Sequence, residues 1–266
     1  MGDFGKRLLS ALVVGPLVVL LLLFLPAKLF LAFMACVLLL AAYEFASMAQ
    51  AADRKTIAAL AVLTFLPLYL GLAVYPFWLL LSTAAYLAFR MAARGRHMEG
   101  ASQSREIGRS VAVLVLAEVF LALPLFFLYR LKEIDRLAPL VLVLTIWASD
   151  TAAYLVGKSA GRHKLAPLIS PKKTYEGLIG ALAGAVVVTL IFRKTGGLAP
   201  LAAAGVGCAI GLLGQLGDIL ESVAKRVCEV KDSSGLIPGH GGLLDRVDSF
   251  ILTAPFVYYC LAGSGG

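Results

Sequence analysis

Charge is scarce in this chain. Asp, Glu, Lys and Arg supply 15% of its 266 residues against 60% hydrophobic ones, and the mean hydropathy is +0.89. That leaves too little polar surface to coat a water-soluble globule of this size. The soluble classes are excluded, and the expected fold class is all-α, a polytopic integral membrane protein in one membrane domain over residues 1–266. The four cysteines, Cys36, Cys208, Cys228 and Cys260, are scattered, without a CxxC pair or a histidine at ligand spacing. A zinc site and a disulfide framework are therefore not expected, and the thiols read as small packing residues. Internal repeats, low-complexity tracts and nucleic-acid motifs are missing as well, so no nucleic-acid partner is expected.

What is present is a series of apolar runs. Nine qualify as spans, at about 8–25, 29–49, 57–74, 76–90, 110–129, 137–157, 175–192, 198–221 and 247–262, because backbone groups in hydrocarbon must be satisfied within the segment. The third and fourth are separated only by Val74, Tyr75 and Pro76, which also allows a hairpin or a re-entrant pair. The first run follows Lys6 and Arg7 and has no small-residue cleavage site before Pro26, so it reads as a retained anchor. With the N-terminus inside, every Lys and Arg except Lys28, Arg130, Lys132, Arg136, Arg193 and Lys194 falls on the inner side. The positive-inside rule then places the polar loops in the cytoplasm of a bacterial-type inner membrane and the C-terminus outside. The net charge of +8 suits anionic lipid headgroups and polyphosphates on that face.

Content divides the chain. Residues 1–136 are mostly bland spans, whereas 137–262 carry nearly every polar cluster. The pairs Gly180/Gly184 and Gly207/Gly211 predict close helix packing in the seventh and eighth spans. At the end of the eighth span, Asp218, Glu221 and Ser222 fall at i, i+3 and i+4 and so share a helical face. At the start of the ninth, Asp245, Asp248 and Ser249 do the same while Arg246 points elsewhere. Oxygen-only ligands of this kind suit a hard divalent cation, Mg2+ above all where phosphates complete the shell. The same acids also suit interfacial salt bridges with Lys225, Arg226, Lys231 and Arg246.

Between these helices lies Pro238-Gly239-His240-Gly241-Gly242, either an anion-binding nest of backbone N–H groups or a plain turn. His240 suits a phosphate contact, a proton carrier or a structural hydrogen bond. A further loop holds Gly161-Arg162-His163-Lys164 and then Ser170-Pro171-Lys172-Lys173-Thr174, read as a turn opening a helix. There the lysines either clamp phosphate or merely anchor the loop. Asp150 lies within a span, where an ionisable group is a functional candidate. Glu44 is placed to join a polar cavity, and Glu118 reads as a hydrogen-bonded packing residue.

Ser222, Lys225, Arg226, Lys231, Asp232, Pro238, His240, Gly241, Gly242, Asp245, Arg246 and Asp248, spaced as they are, resemble the signature of the phosphatidate cytidylyltransferase family. The Asp150-Thr151-Ala152-Ala153-Tyr154 segment and the Lys172-Lys173 block are similar to it too. The sequence departs from that family at Ala224 and Ala160, both packing positions. The resemblance implies transfer of a cytidylyl group from CTP to phosphatidate, giving CDP-diacylglycerol and pyrophosphate, in a homodimer surrounded by membrane lipids. It implies Mg2+ on Asp218, Glu221, Asp245 and Asp248, with a second cation left open. Lys225, Arg226, Lys231, His240 and Arg246 are then expected to be catalytic. Asp150, Arg162, His163, Lys164, Ser170, Lys172, Lys173, Ser222, Gly239, Gly241 and Gly242 are expected to bind substrate. The rival readings are a CTP-dependent polyprenol or lipid kinase and an ion-coupled transporter; the D-G-x2-A-R pattern of CDP-alcohol phosphotransferases is absent.

Overall fold

A computed structural model describes residues 3–71, 74–94, 101–234 and 241–264. Pro238, Gly239 and His240 lie outside the described residues. The elements in chain order are α1 (Asp3–Phe24), α2 (Ala27–Met48), α3 (Arg54–Leu63), α4 (Phe65–Leu70), α5 (Tyr75–Arg94), α6 (Ala101–Ala117), a π-helical turn (Glu118–Ala122), α7 (Leu123–Ile134) and α8 (Ala138–Ala160). They continue as β1 (Lys164–Ala166), β2 (Ser170–Thr174), α9 (Tyr175–Ile191), α10 (Pro200–Val227), α11 (Leu244–Val247) and α12 (Phe250–Ser264). Four helical stretches among the described residues are long and apolar enough to cross a membrane: Ala27–Met48, Ser104–Ile134, Ala138–Ala160 and Pro200–Val227. The chain is an all-α membrane protein.

Each expected span overlaps a helix, but two segments differ from expectation. The run at 57–74 is broken into α3 and α4, with the helix ending again at Gly71, whose φ is +140°. Pro67 lacks an N–H for the preceding turn, and glycine alone adopts that φ without strain, so an apolar run here does not make one long helix. Conversely, α6, the π turn and α7 run on without interruption, well past the expected 110–129. They stop where Asp135 turns the chain by accepting from Leu137 N at 2.7 Å.

The core is a buried set built largely from α2, α7, α8 and α12, including Phe30, Leu38, Leu125, Phe127, Leu142 and Ala254. Against it, α9 is wedged between α8 and α10. A Cβ at Gly180 would stand 2.8 Å from Ala152 O, and one at Gly184 2.7 Å from Ala148 O. Small residues thus let the backbones of α8 and α9 touch, and Gly207 and Gly211 do the same between α10 and α9 at Val186 and Leu182, as the glycine pairs predicted.

The stretch read as a turn opening a helix is instead a strand. β1 and β2 form a two-stranded antiparallel hairpin in which Lys164 faces Thr174 and Ala166 faces Ser170. Thr174 then caps α9 by accepting from Gly177 N at 3.1 Å. A strand sends alternate side chains to opposite faces. The two neighbouring lysines are therefore separated: Lys172 is exposed, and Lys173 turns inward.

Candidate functional site

The last turns of α10 present Asp218, Glu221, Ser222 and Lys225 toward α11, the start of α12 and the hairpin. Helical spacing brings Ser222 Oγ to donate to Asp218 Oδ1 at 3.3 Å. Lys225 Nζ bridges two acids, meeting Glu221 Oε2 at 2.5 Å and Asp245 Oδ1 at 2.6 Å. From the hairpin, Lys173 Nζ pairs with Asp218 Oδ2 at 2.8 Å and donates to Gln215 Oε1 at 2.9 Å. Gln215 Nε2 in turn donates to Asp150 Oδ1 at 3.1 Å. A relay of side chains therefore joins α8, β2 and α10.

Asp218, Glu221 and Asp248 each bring a carboxylate oxygen to within 4.8 Å of the other two. Glu221 and Asp248 are buried, and Glu221 Oε1 has no hydrogen-bond partner among the described residues. A buried carboxylate oxygen without a donor is costly. An oxygen-only set with one orphaned atom fits a hard divalent cation, which would satisfy it. Asp245 stands beside this trio rather than in it. Burial pushes its carboxyl up, but hydrogen bonding with Glu221, Lys225 and the Gly242 N–H outweighs that and holds it below the ordinary aspartate value. It is the counter-ion of Lys225.

The described residues on either side of the glycine-rich loop are held by a residue from the other half of the chain. Buried Glu44, on α2, accepts from Ser234 Oγ at 2.6 Å and from Leu244 N at 2.9 Å. A Cβ on Gly242 would collide with Ser233 Oγ and Glu44 Oε2, and Gly241 takes a φ of +78° beside the Asp245 carboxylate. Both glycines are needed because the backbone passes directly over these acids.

The family model of the Cytidylyltransferase family matches residues 5–263. The chain belongs to that family. It is similar to the phosphatidate cytidylyltransferase of Bacillus subtilis (strain 168), with 38% identity over 158 residues, 57% of this chain and 58% of the relative. It is likewise similar to those of Haemophilus influenzae, 43% over 131 residues (45% and 44%), and Synechocystis sp., 46% over 123 residues (43% and 39%). The matched stretch spans a little over half of the Bacillus relative and less than half of the other two.

Within this chain, the expected residues separate into two groups. Asp150, Lys173, Asp218, Glu221, Ser222, Lys225, Asp245 and Asp248 come together. Arg162, His163, Lys164 and Lys172 are exposed on or beside the hairpin and make no ion pair with the acidic cluster among the described residues. The backbone N–H groups of Arg162 and His163 and the His163 ring converge instead on Glu176. Ser170 closes the hairpin register opposite Ala166. Arg226 turns away from the cluster and supports the hairpin, its Nε donating to Ile169 O at 3.3 Å. Lys231 is exposed beyond the end of α10.

Asp245 and Asp248 are three positions apart along helical backbone, since Asp248 caps α11 with φ −55° and ψ −46°, yet Asp248 alone of the two joins the trio. Arg246 lies near enough to act electrostatically on Asp150. The residue that sequence reasoning missed is Gln215, although the signal was there. It is a polar residue in an apolar span, three positions before Asp218 and hence on the same face.

Proposed function

We propose that this chain transfers the cytidylyl group from CTP to phosphatidate, releasing pyrophosphate and forming CDP-diacylglycerol. The carrying observation is the joining of a cation from the hairpin, Lys173, to an oxygen-only trio, Asp218, Glu221 and Asp248. Family membership and the names of the relatives support the same reading. A lipid phosphate oxygen is already an anion, so attack on the α-phosphorus of CTP needs no nucleophile from the enzyme. The new bond is from that oxygen to the α-phosphorus, and the bond from the α-phosphorus to the bridging oxygen breaks.

What the chain must supply is alignment of mutually repelling groups and positive charge where pyrophosphate leaves. Lys173 and Lys225, each held by carboxylates, and Arg246 provide fixed cations. Asp218, Glu221 and Asp248 would hold Mg2+, which when bound supplies further charge against phosphate oxygens. Gln215 fixes Asp150 and Lys173 relative to each other, and Glu44 seats the loop before Asp245.

The reading includes nine spans, with the N-terminus and hairpin cytoplasmic and the C-terminus outside, supported by the Lys and Arg distribution. CTP and phosphatidate are the partners, with membrane lipids around them; a homodimer follows from the family resemblance. Purified protein given phosphatidate, Mg2+ and each of the four ribonucleoside triphosphates in turn is expected to make CDP-diacylglycerol and pyrophosphate with CTP only. Release of CDP with a newly phosphorylated lipid would instead identify a kinase, and no CTP-dependent product would discard the reading.

A further inference from the structure

A cavity of 690 Å³ lies between α2, α6 and α10, on the face of α10 turned away from Asp218, Ser222 and Lys225, with Glu221 of the acidic cluster at its edge. Its walls are apolar, among them Phe45, Met48, Val113, Leu116, Leu220 and Val227. Its polar lining, apart from Glu221, is Gln50, Arg109 and Glu229. Gln50 and Glu229 follow the ends of α2 and α10, and Arg109 lies near the start of α6. These helix ends form one rim, since Arg109 acts electrostatically on Cys228. From Arg109 to Phe120, deeper on the wall, is eleven residues along the helix, about 16 Å. That is roughly half the hydrocarbon thickness of a bilayer, the reach of an acyl chain within one leaflet.

The backbone at the rim is unusual in a consistent way. Gln50 and Glu229 have φ values of 52° and 58°. Each closes its helix with the same pair of turns: Ala51 N donates to Ala46 O at 2.9 Å, and Val230 N to Lys225 O at 2.9 Å. Glycine normally fills this left-handed position after a helix, because a side chain there costs about 1 kcal/mol or more. Both helices accept that cost and so carry a polar side chain to the same rim, which is the kind of local strain found at binding sites.

We propose that this cavity holds one acyl chain of an inner-leaflet phospholipid with a phosphate and a primary ammonium in its headgroup, a phosphatidylethanolamine. Arg109 meets the phosphate, Glu229 the ammonium, and Gln50 hydrogen-bonds between them. The bound lipid is not the reacting one. Glu229 is eight residues past Glu221, about 12 Å along α10, so a phosphate at the rim stands away from the acids. The lipid is a resident that fills the space between α2, α6 and α10.

The test uses the purified full chain in nanodiscs, with phosphatidylethanolamine, phosphatidylglycerol and phosphatidate probes bearing a photoreactive group at one chain terminus, followed by peptide mapping. CTP turnover is measured on the same preparations. The ethanolamine probe is expected to label Phe120, Leu121 or Leu220 most strongly. Arg109→Gln should reduce that labelling about fivefold, and Glu229→Gln should remove the preference over phosphatidylglycerol, as befits interfacial charge pairs. Ala112→Phe, on the exposed flank of the cavity wall, should block labelling. Equal labelling by all three probes, or insensitivity to all three substitutions, would overturn the proposal. Labelling by phosphatidate alone that is discharged by CTP would also overturn it, because the cavity would then belong to the reacting lipid. Turnover that persists while labelling fails counts against this site only, and labelling without turnover counts against the catalytic reading only.

Discussion

The helices up to α7 and those from α8 onward both bury charge, and they do so in opposite ways. In the first region, Arg90, 2% exposed, lies between Asp53 and Glu106, and Tyr86 Oη donates to the same Asp53 at 3.1 Å. Lys132 is buried with its ammonium on Leu22 O and over the Phe30 ring. Each cation there is enclosed by its own partners. In the second region, Asp150, Asp218, Glu221, Asp245 and Asp248 share Lys173, Lys225 and Arg246, which leaves an excess of acids. Closure marks the groups that hold helices together, and surplus charge of one sign marks the place prepared for something else.

That contrast can be broken experimentally. Arg90→Ala strands Asp53 and Glu106 opposite each other. It should cost roughly 3 kcal/mol of stability, at the low end for a buried pair because both partners are partly exposed. Thermal unfolding in detergent should show the loss, while CTP turnover per folded molecule stays unchanged; a selective loss of turnover would put Arg90 in the wrong class.

Asp218→Asn and Asp248→Asn should do the reverse. Each should lower turnover about 10²-fold, about 2.7 kcal/mol of barrier, with the unfolding temperature held or raised, since removing one of several facing acids relieves repulsion. Glu118→Gln is the control: among the described residues its carboxylate accepts only from Ser82, at 3.0 Å, and turnover should fall less than about twofold. Near-normal turnover in both Asp variants, measured across a Mg2+ titration, would remove the trio from the reaction.

The smallest expected difference is the sharpest. Lys173→Ala should reduce turnover about tenfold and Lys172→Ala less than about twofold, because only Lys173 reaches Asp218 and Gln215. Equal effects would mean that the hairpin acts through overall charge.

Much of this was legible in the sequence, for identifiable reasons. Hydrocarbon leaves an apolar run little choice but helix, so α2, α8 and α10 fall where the hydropathy places them. Helical spacing also joined Asp218, Glu221 and Ser222 correctly. What was not legible depends on contacts between distant residues. Glu44 meets a loop some 190 positions away, and no local pattern marks that. The hairpin reads as a turn in sequence because proline and lysines suppress strand signals over so short a stretch. Which of Asp245 and Asp248 joins Asp218 and Glu221 likewise depends on where α10 lies, and spacing within one segment does not tell.

The alternation in β2 has a consequence for how this segment can change over time. One residue inserted between Lys173 and the capping Thr174 would aim the Lys173 ammonium at water and turn the newcomer inward, whereas two would restore the original facing. Among descendants of this chain, the separation of the inward lysine from the threonine that caps α9 is therefore expected to vary by even steps, while the tip of the hairpin, whose register is already irregular, is free to drift in length.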